Sequence, residues 1–269
     1  MLRLPAVAGR FYPANPKELT ALVRECTKPQ PDAKPLPAKA CLVPHAGYVF
    51  SGHVAGAVFS RIALPQRRIV ILGVRHFARG ESLAILASGA WRTPLGDVPI
   101  DEPLAATLKK ECPILREDRV AHGTEHSLEV QLPFLQVLSP GFSFVPVALG
   151  TVRFDDLVAV GEALARVLAA NPEVLLLTTS DLNHYENDAT TRLKDKKAID
   201  QILALNPRGL YDVCRNEDIS MCGLGPVVAM LTALRALAAS RAELALYATS
   251  ADVSGDTTNV VGYAGFIFS

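Results

Sequence analysis

Three short apolar runs in this chain each end in residues that could do chemistry. Ala40-Cys41-Leu42-Val43 is stopped by Pro44 and followed by His45; Arg68 to Val74 ends in Arg75-His76; Glu173 to Thr179 delivers Ser180-Asp181-Leu182-Asn183-His184. Such runs read as buried strands, and open α/β sheets bind ligands just outside the carboxyl ends of their strands. Parallel strands carry those ends to one edge, so His45, His76, Asp181 and His184 are expected to converge. Imidazoles with an oxygen or sulfur ligand suit zinc, iron or copper, and two histidines with a carboxylate and open positions suit non-haem iron.

Cys222 is the sulfur candidate, because Met221-Cys222-Gly223-Leu224-Gly225-Pro226 opens an apolar helix whose positive end favours thiolate. His122-Gly123-Thr124-Glu125-His126 matches the H-x-x-E-H pattern of some zinc peptidases. That chemistry needs both histidines on one helix face, whereas Gly123 and Thr124 read as residues that precede and cap a helix, leaving His122 outside it. The match is taken as accidental, with Glu125 and His126 kept as acid-base or supporting residues. His53, among Gly52, Ala55, Gly56 and Ala57, reads as a helix-packing residue.

The elements that must position these groups alternate. Asn15-Pro16-Lys17-Glu18 starts a helix to about Cys26, with Asn15 as N-cap and proline in the first turn. Four prolines then make Thr27 to Ala38 a stiff connection. A small-residue helix follows from Ser51 to Ile62, then the strand Arg68 to Val74, β-branched and continuous as a central parallel strand should be. Leu83 to Leu86 reads as a strand, Trp91 to Asp101 as a hairpin, and Asp101 as the cap of a helix to Glu111. Glu125 to Leu138 suggests a helix interrupted by Pro133, Ser143 to Leu149 a strand, and Phe154 to Ala169 a helix. The charged segment through Lys197 reads as a solvated helix continued by Ile199 to Leu205. A helix from Val227 to Ala239 and strands at Leu244 to Thr249 and Tyr263 to Phe268 close the chain. The class is α/β, a single domain over residues 1–269 with a largely parallel or mixed central sheet covered by helices on both faces.

Lys plus Arg and Asp plus Glu both number 27 in 269 residues, so no nucleic-acid footprint or charged membrane surface is expected. The first residues lack a long apolar stretch with a cleavage site, and no apolar run reaches spanning length. Five cysteines without a CxxC fit reduced thiols. A soluble cytoplasmic protein is the expectation.

Taken together, Val43-Pro44-His45-Ala46-Gly47-Tyr48, Leu72-Gly73-Val74-Arg75-His76, Arg92-Thr93-Pro94-Leu95-Gly96-Asp97, Glu125-His126-Ser127-Leu128-Glu129, Ser180-Asp181-Leu182-Asn183-His184 and Cys222-Gly223 resemble the Memo family, whose bacterial and archaeal members are called AmmeMemoRadiSam system protein B. The resemblance runs from Ala6-Val7-Ala8-Gly9 to Gly262-Tyr263-Ala264-Gly265. It implies a fold similar to the LigB-type (class III) extradiol dioxygenases, with the site at one sheet edge. It also implies His45, His76 and Cys222 as ligands of iron or copper, with zinc admissible. Asp181 and His184 match residues lining the same pocket, His184 in the place of an acid-base histidine. Cys222 stands where the dioxygenases have a carboxylate, and thiolate favours copper(I), zinc or a redox role. Phe11, Phe77, Asn183 and Tyr185 depart from the animal relatives, which bind phosphopeptides.

The leading expectation is a metal-dependent redox protein or oxidoreductase acting on a small-molecule substrate or O2, with His184 moving protons and Asp181 orienting it. The alternatives are a metal-free hydrolase using Cys222 with His184 and Asp181, and a non-catalytic module recognising a peptide or a radical-enzyme partner.

Overall fold

Among the described residues, the apolar runs form the centre of a nine-stranded sheet. The computed structural model describes residues 1–28, 35–64, 68–150 and 153–269. Ala40–Val43, Leu175–Thr179, Arg68–Val74 and Ser143–Leu149 lie side by side and parallel in that order. Their residues are almost all buried, which is why they read as continuous apolar runs rather than alternating ones. The antiparallel strands Val260–Phe268 and Leu83–Ile85 flank this core, so the sheet is mixed.

Register fixes where the chemistry emerges. Val43 pairs with Thr179 and Leu72 with Thr178. The residues just past these strands therefore leave the sheet at one edge, and the ladder continues one step further, with the Ser180 N–H donating to the Val43 carbonyl. Helices cover both faces. Tyr48–Phe59 lies on Ala40–Val43 and the C-terminal strands, while Leu224–Ala236 packs against Phe154–Ala170 and on the parallel strands. One apolar cluster runs from Val7 to Phe268. No described helix is long and apolar enough to cross a membrane.

The first helix, Pro16–Cys26, is capped by the Asn15 side chain, which accepts from the Lys17 and Glu18 N–H groups. The hairpin forms as Ala90–Thr93 and Gly96–Pro99, and Asp101 caps Glu102–Glu111. Part of the proline-rich connection expected over Thr27 to Ala38 lies outside the described residues. Leu224–Ala236 starts three residues before the expected Val227.

Two expectations are corrected. The helix expected from Glu125 to Leu138 forms only as a short 3-10 turn, Glu129–Gln131, and an α-helix, Leu132–Leu138, with Pro133 in its first turn, where a missing N–H costs little. Glu125 and His126 lie before it in irregular backbone, because the Glu125 carboxylate takes the N–H groups of His76 and Ser127 and so fixes the segment onto the sheet edge. His122 is inside a helix after all, in Val120–Gly123. Pro207–Asn216, capped by Asn206, is a further helix beyond those expected.

Candidate metal centre

Three parallel strand ends, the irregular segment at His126 and the start of the helix Leu224–Ala236 bring the sequence-predicted residues to one cleft of about 490 Å³, lined by His45, His76, His126, Asp181, His184 and Cys222, with Phe11 and Tyr185 among its other walls. Gly73 is what lets the Glu125 segment approach, since a Cβ there would fall 2.5 Å from Leu128 and 2.7 Å from the Ser127 hydroxyl. Gly223 does the same for Cys222, because a Cβ would lie 2.4 Å from Ser180.

Three imidazoles form the heart of the cleft. One ligand nitrogen from each of His45, His76 and His126 lies within 4.8 Å of the others, and the group could hold a metal ion. His76 and His126 stack with ring centroids 4.5 Å apart, and both meet the His45 ring edge to face. The His45 side chain is buried, and that of His76 is 26 % exposed.

Each ring is fastened from behind. The Nδ1–H of His76 donates to Glu125 Oε1 at 2.9 Å, while its backbone N–H donates to Oε2 at 2.8 Å. His45 Nδ1 hydrogen-bonds the Thr179 hydroxyl at 2.8 Å, and its backbone N–H donates to Asp181 Oδ1 at 2.8 Å. The Thr179 hydroxyl is itself positioned by Gln131, whose amide also donates to the Pro44 carbonyl. His126 is held by stacking on His76 and by the edge of Phe11. A histidine fixed through Nδ1 presents Nε2 as its remaining ligand atom, the arrangement that orients metal-bound imidazoles.

Electrostatics points the same way. Burial, reinforced by His76, holds His45 well below the usual histidine range. Burial and the neighbouring His45 bring His126 down to about 4. Both are therefore neutral at pH 7, the form that binds metals. Burial opposes charge on Glu125, yet its hydrogen bond and attraction to His76 outweigh this and bring it down to about 2, so a full negative charge stands behind His76. Asp181 is raised above the usual carboxylate range by burial.

Cys222 Sγ lies 3.2 Å from His45 Nε2 and accepts from the Asp181 N–H at 3.3 Å. Donors sharing a tetrahedral ion at Zn–S ~2.3 Å and Zn–N ~2.0 Å stand roughly 3.5 Å apart, so the sulfur and His45 are spaced as neighbouring ligands would be. Cys222 is outside the group of three mutually close imidazoles, whose third member is His126. The thiolate expected from the helix start is opposed by burial and by Asp181 beside it, both of which push the thiol up.

His184 lines the same cleft, its Nδ1–H donating to the Ser220 carbonyl at 3.1 Å. The imidazole beside Cys222 is thus His45, and no Cys222–His184 contact of the kind the hydrolase alternative requires occurs among the described residues. His122 stays away from the group: its Nδ1 meets the Asp118 carbonyl and its ring packs against Trp91, so the H-x-x-E-H match is accidental. Thr179, Gln131 and Ser220 were not singled out in the sequence. Only Thr179, a polar residue ending an apolar strand beside the Asp181 cluster, carried a signal.

A family model described as Memo-like protein matches residues 3–267. A MEMO1 family protein of Methanopyrus kandleri is 41% identical over 281 residues, covering 100% of this chain and 99% of its own. One from Methanocaldococcus jannaschii is 40% identical over 283 residues, covering 99% and 98%, and one from Thermotoga neapolitana 41% identical over 286, covering 100% of both. Among solved structures, an uncharacterized protein of Escherichia coli K12 superposes with a TM-score of 0.53 at 14% identity, over 85% of this chain and 98% of its own, a likeness of fold.

Proposed function

The chain belongs to the Memo family, and from that premise we propose that the cleft is the metal centre of a redox protein or oxidoreductase, holding iron or copper, with zinc admissible, and acting on a small molecule or O2. The observation that carries the reading is the set of three imidazoles, His45 and His76 just past parallel strand ends and His126 on the segment that Glu125 fastens beside them, two of them bound through Nδ1 and two held neutral by burial. The ligands would be His45 and His76 with Cys222, His126 being the alternative third donor. Nitrogen and sulfur donors suit copper, iron and zinc better than hard cations. When bound, such an ion supplies Lewis acidity and, if iron or copper, a one-electron couple.

The protein's own groups would do the rest. Glu125 fixes the tautomer and direction of His76, as Thr179 does for His45. Asp181, its pKa raised by burial, can carry a proton beside the Cys222 sulfur. His184, tied through Nδ1 to Ser220, has Nε2 left to accept or return a proton from a molecule in the cleft. Phe11 and Tyr263 give the cleft apolar walls that favour an organic substrate over bulk water.

The test is redox titration of iron- or copper-loaded protein purified without chelators or a histidine tag. Reversible reduction of the metal or consumption of O2, lost in His45→Ala, is the expected result. Zinc binding alone, with neither iron nor copper retained, would refute the redox reading and leave the metal site standing. Cys222→Ser and His126→Ala decide the third donor, since only the true ligand should cost a large loss of affinity.

A further inference from the structure

A second cavity of about 290 Å³ lies behind the cleft and touches it at Cys222. Its walls include two arginines with no carboxylate partner among the described residues. Arg75 Nη1 and Nη2 make only long contacts, 3.3 to 3.4 Å, to the carbonyls of Phe77, Arg79 and Gly80 and to the Ser82 hydroxyl. Its Nε is buried with no acceptor among the described residues. Among the described residues Arg215, exposed at the rim, meets only the Tyr211 hydroxyl and ring.

A buried donor on a charged group without an acceptor is costly, and folded proteins rarely leave one so. The helix Leu224–Ala236 adds to the imbalance. Leu224 and Gly225 line the cavity, no side chain caps this helix, and its first turn holds no acid. The positive end of its dipole therefore faces the same space as the arginines. One carboxylate, Asp218, stands on the wall. Two guanidiniums and a helix terminus against one acid leave the cavity net positive.

We propose that this cavity binds an oxyanion, the carboxylate or phosphate of a small molecule, on Arg75 and Arg215. Guanidinium groups match both anions by paired, charge-assisted hydrogen bonds. The volume suits a group of a few heavy atoms, and the rest of such a molecule would lie toward Cys222. The binding draws its charge from the arginines and does not depend on the metal reading.

Calorimetric titration of the full chain with inorganic phosphate and, separately, succinate tests this and separates the two anion classes. Saturable millimolar or tighter binding of at least one is expected, weakened about tenfold or more by Arg215→Met and by Arg75→Met, as loss of a charge-assisted hydrogen bond implies. Arg208→Met, which removes a charge already paired with Asp212, should leave it unchanged. Arg215→Met alters only a rim side chain, so its result stands even if Arg75→Met folds poorly. Absence of saturable binding, or equal binding in wild type and both cavity variants, would overturn the proposal. Loss of binding in metal-free His45→Ala would also overturn it, by placing the anion on the metal. Anion binding without any metal, or the reverse, would separate the two readings.

Discussion

Glu125→Gln is the smallest change that should loosen the centre without touching a ligand. The wild-type carboxylate is fully buried and accepts from three N–H groups, the His76 ring and backbone and the Ser127 backbone, at 2.8 to 2.9 Å. A glutamine keeps the shape but has one accepting oxygen. If its oxygen serves the His76 backbone, its NH2 faces His76 Nδ1 and Ser127 N–H, both donors. The ring must then surrender its Nδ1 proton and carry it on Nε2, the nitrogen needed as a ligand. If the amide is reversed, the His76 backbone donor is stranded. Metal affinity should fall about 10- to 100-fold, the usual cost of losing such a supporting partner.

Stability should fall with it. Relative to an ordinary 4.5, a folded-state value of about 2 corresponds to about 3 kcal/mol. Because the folded value is depressed, this stabilisation is present above pH 4.5 and lost as pH falls toward 2. Denaturant unfolding of metal-free protein should therefore separate wild type from variant at pH 7, and the gap should narrow as pH falls through 4 and close only toward pH 2. Metal titration gives the affinity. Unchanged affinity together with a stability difference independent of pH would mean that Glu125 neither orients His76 nor stabilises the fold by its charge.

Other expectations follow from the same contacts. Asp195 is buried, accepting from the Asn183 N–H and the Tyr247 hydroxyl, and burial pushes it up to about 7 from an ordinary 3.8. A raised carboxyl keeps its proton in the folded state while the unfolded chain releases it, so wild type should lose up to about 4 kcal/mol as pH rises from 4 to 7. Asp195→Asn should remove that slope, and urea midpoints at pH 5 and pH 8 will show whether the variant gains on wild type at the higher pH. Gly73→Ala drives a Cβ into Leu128 and Ser127. It should cost about 1–3 kcal/mol by overpacking and, by displacing Glu125 and His126, weaken metal binding, whereas unaltered affinity would detach that segment from the site. His122→Leu should leave metal affinity within about twofold, as the ring lies outside the group, although a change in thermal unfolding is expected from its buried packing.

The sequence made the strand ends legible because burial on both faces of a parallel sheet leaves long apolar runs, and a polar residue just past Val43, Val74 or Thr179 stands out against them. Convergence of His45, His76 and Asp181 then followed from parallel geometry alone. His126 was harder to place. Leu128 to Leu138 carries enough apolar spacing to suggest a helix that includes it, but the Glu125 side chain captures backbone donors across the sheet edge, and no local pattern announces such a long-range contact. The helix Pro207–Asn216 was legible and missed: Asn206-Pro207 repeats the start signal of Asn15-Pro16, and the Asn206 side chain accepts from the Gly209 N–H in the same manner. The charge state of Cys222 could not be read from its helix start, since burial and Asp181 outweigh the dipole.

Whether the strand-end histidines hold a transition metal is decided by metal binding of the tag-free protein against His45→Ala. Wild type should retain about one iron, copper or zinc ion per chain through dialysis, and the variant should lose it, because structural metal affinity resides in the donor set. Equal retention by the two proteins, or none by either, would mean that no metal is held at the strand ends.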